Sequence, residues 1–405
     1  MDNKKIFNLT NDIEVLYKRN ADTPRVAFCL NFSLNNPVKN PGVYSLMARL
    51  LMQGTKNRTS EQLSNELDLY AIEMSVELKL DYLKFKFVCL NEDFDKALEI
   101  LEDIVKNPTF EEFEKERVKF IGEIEAQLDS PRAKVIDNFY KNIYENHHYG
   151  YTNTVILENL KNITMDDVIA GYDLFLQNSN KVAAFVGDLE FEKVQAELDA
   201  KIGTIHPANK DLPDLSAPVL DEIKTPEIIK PDANQAHILQ GWLVDTFDSK
   251  DYPVLALLNI ILGASGLSSR LFLELRDKKG LAYVVRSSYD VARLAANFSI
   301  YIATEPNNIQ ISLDGFKEEI EKIKTILVSE EELENARNNI FGKWAFSQED
   351  NSRQAATYAH YAVLGLGFDF NDKVREQIKE VTPEQIMACA NKYFDDKYVI
   401  SVIKP

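Results

Sequence analysis

Residues 263–289 read GASGLSSRLFLELRDKKGLAYVVRSSY, and the placement of the other elements follows from this stretch. Gly263 and Gly266 flank small residues ahead of Leu267, Leu271, Phe272 and Leu275. Apolar side chains at that interval predict a helix with one buried face. Gly280 ends it, because glycine takes the left-handed cap conformation without a steric penalty, and Lys278 and Lys279 suit the negative end of a helix. From Leu281 the run Leu-Ala-Tyr-Val-Val-Arg-Ser-Ser-Tyr predicts a strand. A helix that stops at a glycine and turns directly into a strand brings Arg276 and Tyr283 together. A guanidinium fork beside a phenol is a clamp for a carbonyl or carboxylate. The plainer alternative is a surface arginine and a half-buried strand tyrosine.

Working outward from this stretch, the same order of elements occurs twice. Glu111-Glu112-Phe113-Glu114-Lys115-Glu116-Arg117, with Gly122 further on, matches Glu331-Glu332-Leu333-Glu334-Asn335-Ala336-Arg337, with Gly342 further on, at a constant offset. Ile163-Thr164 opens a helix and then a strand ending at Val186-Gly187, and Val381-Thr382 does the same before a strand ending at Ile403. In the first copy the pattern predicts strands at 6–18 and 25–32, then helices at 43–52 and 59–67. Strands at 71–80 and 83–90 follow, then helices at 93–106, 111–128 and 165–176, and a strand at 181–186. We therefore expect an α+β chain of two homologous domains, 1–204 and 234–405, each a mostly antiparallel sheet covered by helices. The joining segment 205–233 carries Pro207, Pro213, Pro218, Pro226 and Pro231 and predicts a semi-rigid linker.

Composition narrows the function. The 405 residues carry 64 Asp and Glu against 46 Lys and Arg, a net charge of −18, which repels nucleic acid and anionic membranes over most of the surface. Cys29, Cys89 and Cys389 are far apart in apolar segments, so buried thiols are expected rather than a disulfide framework or a metal site. The first residues lack the apolar run of a signal peptide, and no window has the length of a membrane span; a cytoplasmic location is the expectation.

The usual catalytic signatures are missing. Gly263-Ala264-Ser265-Gly266 lacks the lysine of a phosphate-binding loop. His147 and His148 are adjacent and would point in different directions in a regular element, so surface histidines are expected there. His237 and His360 sit in apolar segments, where satisfied core or interface histidines are expected. The carboxylates of 111–125 predict a solvated helix face. No group in this chain alone is expected to bind a metal or to act as a catalyst.

The stretch Ser268-Ser269-Arg270-Leu271-Phe272, with Glu274-Leu275-Arg276 and Gly280-Leu281-Ala282-Tyr283, resembles the insulinase/pitrilysin family of zinc peptidases, as do the repeat and the helix stop Asn107-Pro108-Thr109-Phe110. The likeness covers nearly the whole chain and points to members of the mitochondrial processing peptidase type. It implies two homologous domains per chain and two chains closing around a chamber like a clam shell. It also implies a zinc held by His-x-x-Glu-His in the first domain, with a glutamate further along, and an Arg/Tyr pair in the second domain that binds the substrate. Arg276 and Tyr283 match that pair. The matching metal helix is Gly42-Val43-Tyr44-Ser45-Leu46-Met47-Ala48-Arg49-Leu50-Leu51-Met52-Gln53-Gly54-Thr55, in which Ser45, Ala48 and Arg49 stand where both histidines and the glutamate belong. The third ligand is expected within 123–130, one alignment placing Leu128 there. The resemblance thus implies the non-catalytic, substrate-binding subunit of a heterodimeric zinc peptidase, with zinc in a homologous metal-bearing partner. The alternatives are an assembly subunit or a peptide-binding homodimer without peptidase activity.

Overall fold

The computed structural model describes residues 4–35, 40–209 and 215–405. In the first half, β1 (Lys4–Asn8), β2 (Glu14–Arg19) and β3 (Arg25–Ser33) precede α1 (Val43–Leu50), α2 (Ser60–Leu69), β4 (Glu73–Leu78) and β5 (Tyr82–Leu90). Then come α3 (Phe94–Lys106), α4 (Phe113–Leu128), α5 (Pro131–Ile143), α6 (Asn153–Leu160), α7 (Met165–Asn178), β6 (Lys181–Gly187) and α8 (Phe191–Lys201). The second half begins with β7 (Glu227–Ile229), β8 (Ala236–Val244) and α9 (Tyr252–Asn259), followed by π-wound turns at Ile260–Ala264 and Phe272–Lys278. It continues through β9 (Ala282–Val291), β10 (Ala296–Thr304), α10 (Ile309–Thr325), α11 (Glu330–Ser347), α12 (Asn351–Val363), α13 (Phe370–Lys379), α14 (Pro383–Tyr393) and β11 (Val399–Lys404).

The chain is α+β, and each half supplies the strands of one mixed, mainly antiparallel sheet. The first runs β1-β2-β6-β3-β5-β4, with β2 and β6 parallel. The second runs β7-β11-β8-β10-β9, with β7 and β11 parallel. Thr59, Thr164 and Thr382 each accept from the N–H three residues on, while the side chain at that position returns the bond, so helices α2, α7 and α14 begin at capping boxes. The strand expected over 6–18 is two strands, because Asp12 at φ 64° turns the chain between β1 and β2. Of the expected linker, 210–214 with Pro213 lies outside the described residues, and Glu227–Ile229 forms β7 against β11.

Compactness follows other boundaries than the sequence repeat. One compact unit comprises Glu123–Ile156, Leu215–Trp344 and Asp372–Pro405, and the remaining described chain forms the other. Helix α5, from the first half, lies on β8 and β11 of the second sheet; α12, from the second half, lies on β3 and β6 of the first. The exchange is reciprocal, since these strands and helices hold the same places in the two copies. Phe139 of α5 is fully buried over Gly241, where a Cβ would fall 2.6 Å from its ring, and Asn138 donates to Ser401 at 2.9 Å. Burying a phenylalanine is worth about 1.5–3 kcal/mol, so the missing side chain at Gly241 is what lets α5 dock. On the first sheet, Asn351 of α12 donates to the Arg25 carbonyl at 3.0 Å.

The three cysteines are buried and free. Burial pushes the thiols of Cys29 and Cys89 up to about 12, which leaves them unreactive. No helix among the described residues is long and apolar enough to cross a membrane.

Candidate functional site

The stretch around Arg276 is anchored on two sides. Leu275 is fully buried and fits against Gly315 of α10, where a Cβ would lie 2.2 Å from its Cδ2. Arg270 makes a two-pronged pair with Glu332 of α11, both contacts at 2.7 Å. The helix expected here is π-wound over Phe272–Lys278, a winding often found at functional positions. Gly280 at φ 63° ends it as expected, its N–H bonding the Arg276 carbonyl at 3.2 Å. The Leu281 N–H reaches back to the Leu275 carbonyl at 2.9 Å, farther along the chain than an α-helical cap requires, as a widened last turn demands.

Strand β9 then carries a bulge. Against β10, Thr304 pairs with Ala282 and Ala303 with Val284, which leaves Tyr283 as the extra residue. A bulge re-aims the side chain at its extra position. Here the Tyr283 ring meets the guanidinium of Arg276, whose carbon lies 4.6 Å from the ring centroid and equally 4.6 Å from that of Phe272. Tyr283 is 77% exposed, so this contact contributes about 0.5–1 kcal/mol at most, too little to account for a π turn, a bulge and an exposed phenol. The two groups line one cleft of about 480 Å³ with Gly263, Ala264, Gly266, Leu267, Phe272 and the β9 residues Val284 to Ser288. Gly263 admits no side chain, since its Cβ would fall 2.2 Å from the Ser287 nitrogen. A half-buried fork with an exposed phenol beside it can donate to a carbonyl or carboxylate oxygen lodged in the cleft.

The positions matching the metal helix lie on α1. Gly42, at φ 103°, opens it; Ser45 and Arg49 are half-buried one turn apart, and Ala48 is buried. The Arg49 Nε lies 3.4 Å from Glu116 Oε2, and the guanidinium carbon is 4.7 Å from the Phe120 ring centroid. Glu116 is 3% exposed, so this carboxylate belongs to the interior and not to the solvated face expected for its helix. The carboxylate facing α1 therefore comes from before the window 123–130 in which a third ligand was expected. These residues do not fit zinc. A hydroxyl, a methyl and a guanidinium replace the ligands and base, and a cation at about 4 Å from a divalent ion opposes it by roughly 8 kcal/mol at intermediate dielectric. Among the described residues no group of three His, Cys, Asp or Glu side chains could hold a metal.

The histidines play other parts. His237 Nδ1 is 2.8 Å from the Tyr301 hydroxyl and His360 Nδ1 is 2.9 Å from that of Tyr82, so both are satisfied as expected. His147 and His148 depart from the expectation of surface side chains. They are half-buried with ring centroids 4.1 Å apart, because the chain makes a tight turn there instead of a regular element. Burial first, then His147 and Arg293, pushes His148 down to about 4.

Glu116 is the residue that sequence reasoning missed. Its signal lay in the repeat, where Ala336 occupies the matching place: the first copy keeps a charge that the second does without, opposite an arginine that needs it.

The sequence matches the profile described as insulinase (peptidase family M16) over residues 14–154 and the peptidase M16 inactive domain over 162–340. An uncharacterized zinc protease of Rickettsia felis is 24% identical over 412 residues, spanning 100% of this chain and 98% of the relative. The Helicobacter pylori protein called non-peptidase homolog YmxG is also 24% identical, with 92% of this chain and 87% of the relative covered. Two solved structures share the fold. The peptidase M16 inactive domain from Pseudomonas fluorescens superposes with a TM-score of 0.91 at 21% identity, covering 100% of this chain and 98% of its own. A protease from Helicobacter pylori gives 0.92 at 21% identity, with 99% of each chain covered. Matched in both halves by profiles of one family, this chain belongs to the insulinase (peptidase M16) family.

Proposed function

We propose that this chain is the substrate-gripping, non-catalytic subunit of a two-chain zinc peptidase, inactive alone and completed by a homologous partner bearing His-x-x-Glu-His. The observation that carries the proposal is an asymmetry within one molecule: Arg49 and Glu116 pair where the family's metal motif is replaced, while Arg276 and Tyr283 stand together at an open cleft. The partner would bring the zinc and the general base. This chain's guanidinium would donate to the peptide carbonyl oxygen next to the scissile bond, with the Tyr283 hydroxyl as a further donor, and both bonds would strengthen as negative charge grows on that oxygen. The absence of reactive thiols and of a long apolar helix among the described residues is compatible with a cytoplasmic setting.

The test is purification of the chain alone and with a metal-bearing homologue, followed by zinc content and peptide cleavage. The isolated chain is expected to hold no zinc and cleave nothing, and the pair to hold zinc and cleave peptide. Stoichiometric zinc and cleavage in the isolated chain would overturn the proposal. A second reading, an assembly subunit or peptide-binding homodimer without peptidase activity, draws on the relative called a non-peptidase homolog. It requires a stable species that forms no active pair with any metal-bearing homologue.

A further inference from the structure

The cleft that holds Arg276 and Tyr283 has a charge of its own. The chain is strongly acidic, yet the lining contains two arginines, Arg276 and Arg286, and no carboxylate. Among the described residues neither arginine forms an ion pair. Two nearby acids are engaged elsewhere: Glu274 by Lys278 at 2.5 Å, and Asp290 by the Tyr140 hydroxyl at 2.9 Å. Arg286 is exposed, and its guanidinium lies 5.7 Å from the Tyr301 ring centroid. Exposed Arg132 of α5 lies at the same distance from that ring, so this end of the cleft has a second cation near it.

The shape of the cleft adds a direction. Side chains of a strand alternate between its faces, so a cleft touching all of Tyr283 to Ser288 must run along the strand's edge. Strand β9 is the last strand of its sheet, and that edge has no strand partner among the described residues. An extended peptide lying there advances with β9 at about 3.3 Å per residue, which puts Arg286 roughly 10 Å from the clamp.

We infer that the cleft selects peptides carrying an acidic side chain about three residues from the carbonyl held by Arg276 and Tyr283, with Arg286 receiving that carboxylate. The inference rests on the gripping role proposed above and adds a substrate class to it. A guanidinium and a carboxylate at a partly enclosed site form a charge-assisted pair, which discriminates against an amide of the same shape by about tenfold.

The test uses the full chain and calorimetric titration with extended peptides, their termini acetylated and amidated, that differ only in one scanned residue: Glu, Gln or Lys. One scan position is expected to bind as Glu about tenfold more tightly than as Gln, with Lys weaker still, and the Glu advantage is expected to shrink with added salt. Arg286→Gln should bring the Glu/Gln ratio to about one. Arg353→Gln, an exposed arginine of α12 removed as a control for net charge, should leave the ratio unchanged. Equal Glu and Gln affinities that still depend on Arg276 overturn this inference and leave the gripping role standing, as does a Glu preference that survives Arg286→Gln. Failure of every peptide to bind, or binding indifferent to Arg276→Ala, overturns both.

Discussion

The Arg276 guanidinium carbon lies 4.6 Å from the ring centroid of Tyr283, although a helix end, a left-handed glycine and a strand start separate the two residues along the chain. Two backbone irregularities meet at this contact. The π turn widens the helix under Arg276, and the bulge sets Tyr283 outside the regular ladder. Each interrupts a regular hydrogen-bond pattern. The residues around them hold the irregularity in place: Arg270 on Glu332, Leu275 in the notch at Gly315, and Gly263 flat against Ser287.

Gly263→Ala is expected to destabilise the protein by about 1–3 kcal/mol, because the new methyl meets strand backbone that cannot move aside, and to weaken peptide binding by shifting β9. Gly122→Ala and Gly342→Ala should do the reverse. Both glycines lie inside long helices with open space where a Cβ would stand, so alanine adds about 0.5–1 kcal/mol of helix stability. Urea unfolding of the three variants checks this. A neutral Gly263→Ala would show that the cleft wall is softer than described.

Glu116→Gln is expected to lower stability by about 1–3 kcal/mol. The amide keeps the shape but removes the charge that Arg49 faces from a half-buried position, and the exposure of Arg49 keeps the loss below that of a fully buried pair. The check is the urea midpoint, which should fall with its slope unchanged. An unchanged midpoint would mean that the Arg49–Glu116 pair contributes nothing to the fold.

Much of this was legible in the sequence. The stop at Gly280, the caps at Thr164 and Thr382, and the two-copy arrangement are local signals, carried by one or a few neighbouring residues. What escaped depends on partners distant in sequence. The π winding and the Tyr283 bulge come from docking on α10, α11 and β10, and no propensity encodes them. The burial of Glu116 depends on Arg49, far upstream. Helix α5 was missed even though Ser130 and Pro131 are a good cap and first residue, because its apolar face is matched to the other copy's sheet and not to its own surroundings. The exchange of α5 and α12 also explains why a boundary drawn at the proline-rich segment differs from the compact units.

Stability should fall in mild acid. Burial, aided by Lys84 and Lys79, pushes His360 down to about 4, and burial with His147 and Arg293 does the same to His148. An unfolded histidine titrates near 6.5, so between about 6.5 and 4 the unfolded chain binds more protons than the folded one. The stability that these neutral imidazoles contribute is therefore complete above pH 6.5 and is lost as pH falls toward 4. Melting temperatures at pH 7 and pH 5 should show the drop. His360→Gln, whose amide can still meet the Tyr82 hydroxyl, should reduce it; an equal drop in that variant would remove His360 as a cause.

The central claim is that this chain grips peptide for a partner that cuts, and the most direct measurement is the cleavage rate of the reconstituted pair carrying Arg276→Ala. The account predicts a fall of about two to three decades, the loss that follows removal of a charged donor from a developing oxyanion, with pair assembly and melting temperature unchanged. Cleavage at the wild-type rate would contradict it.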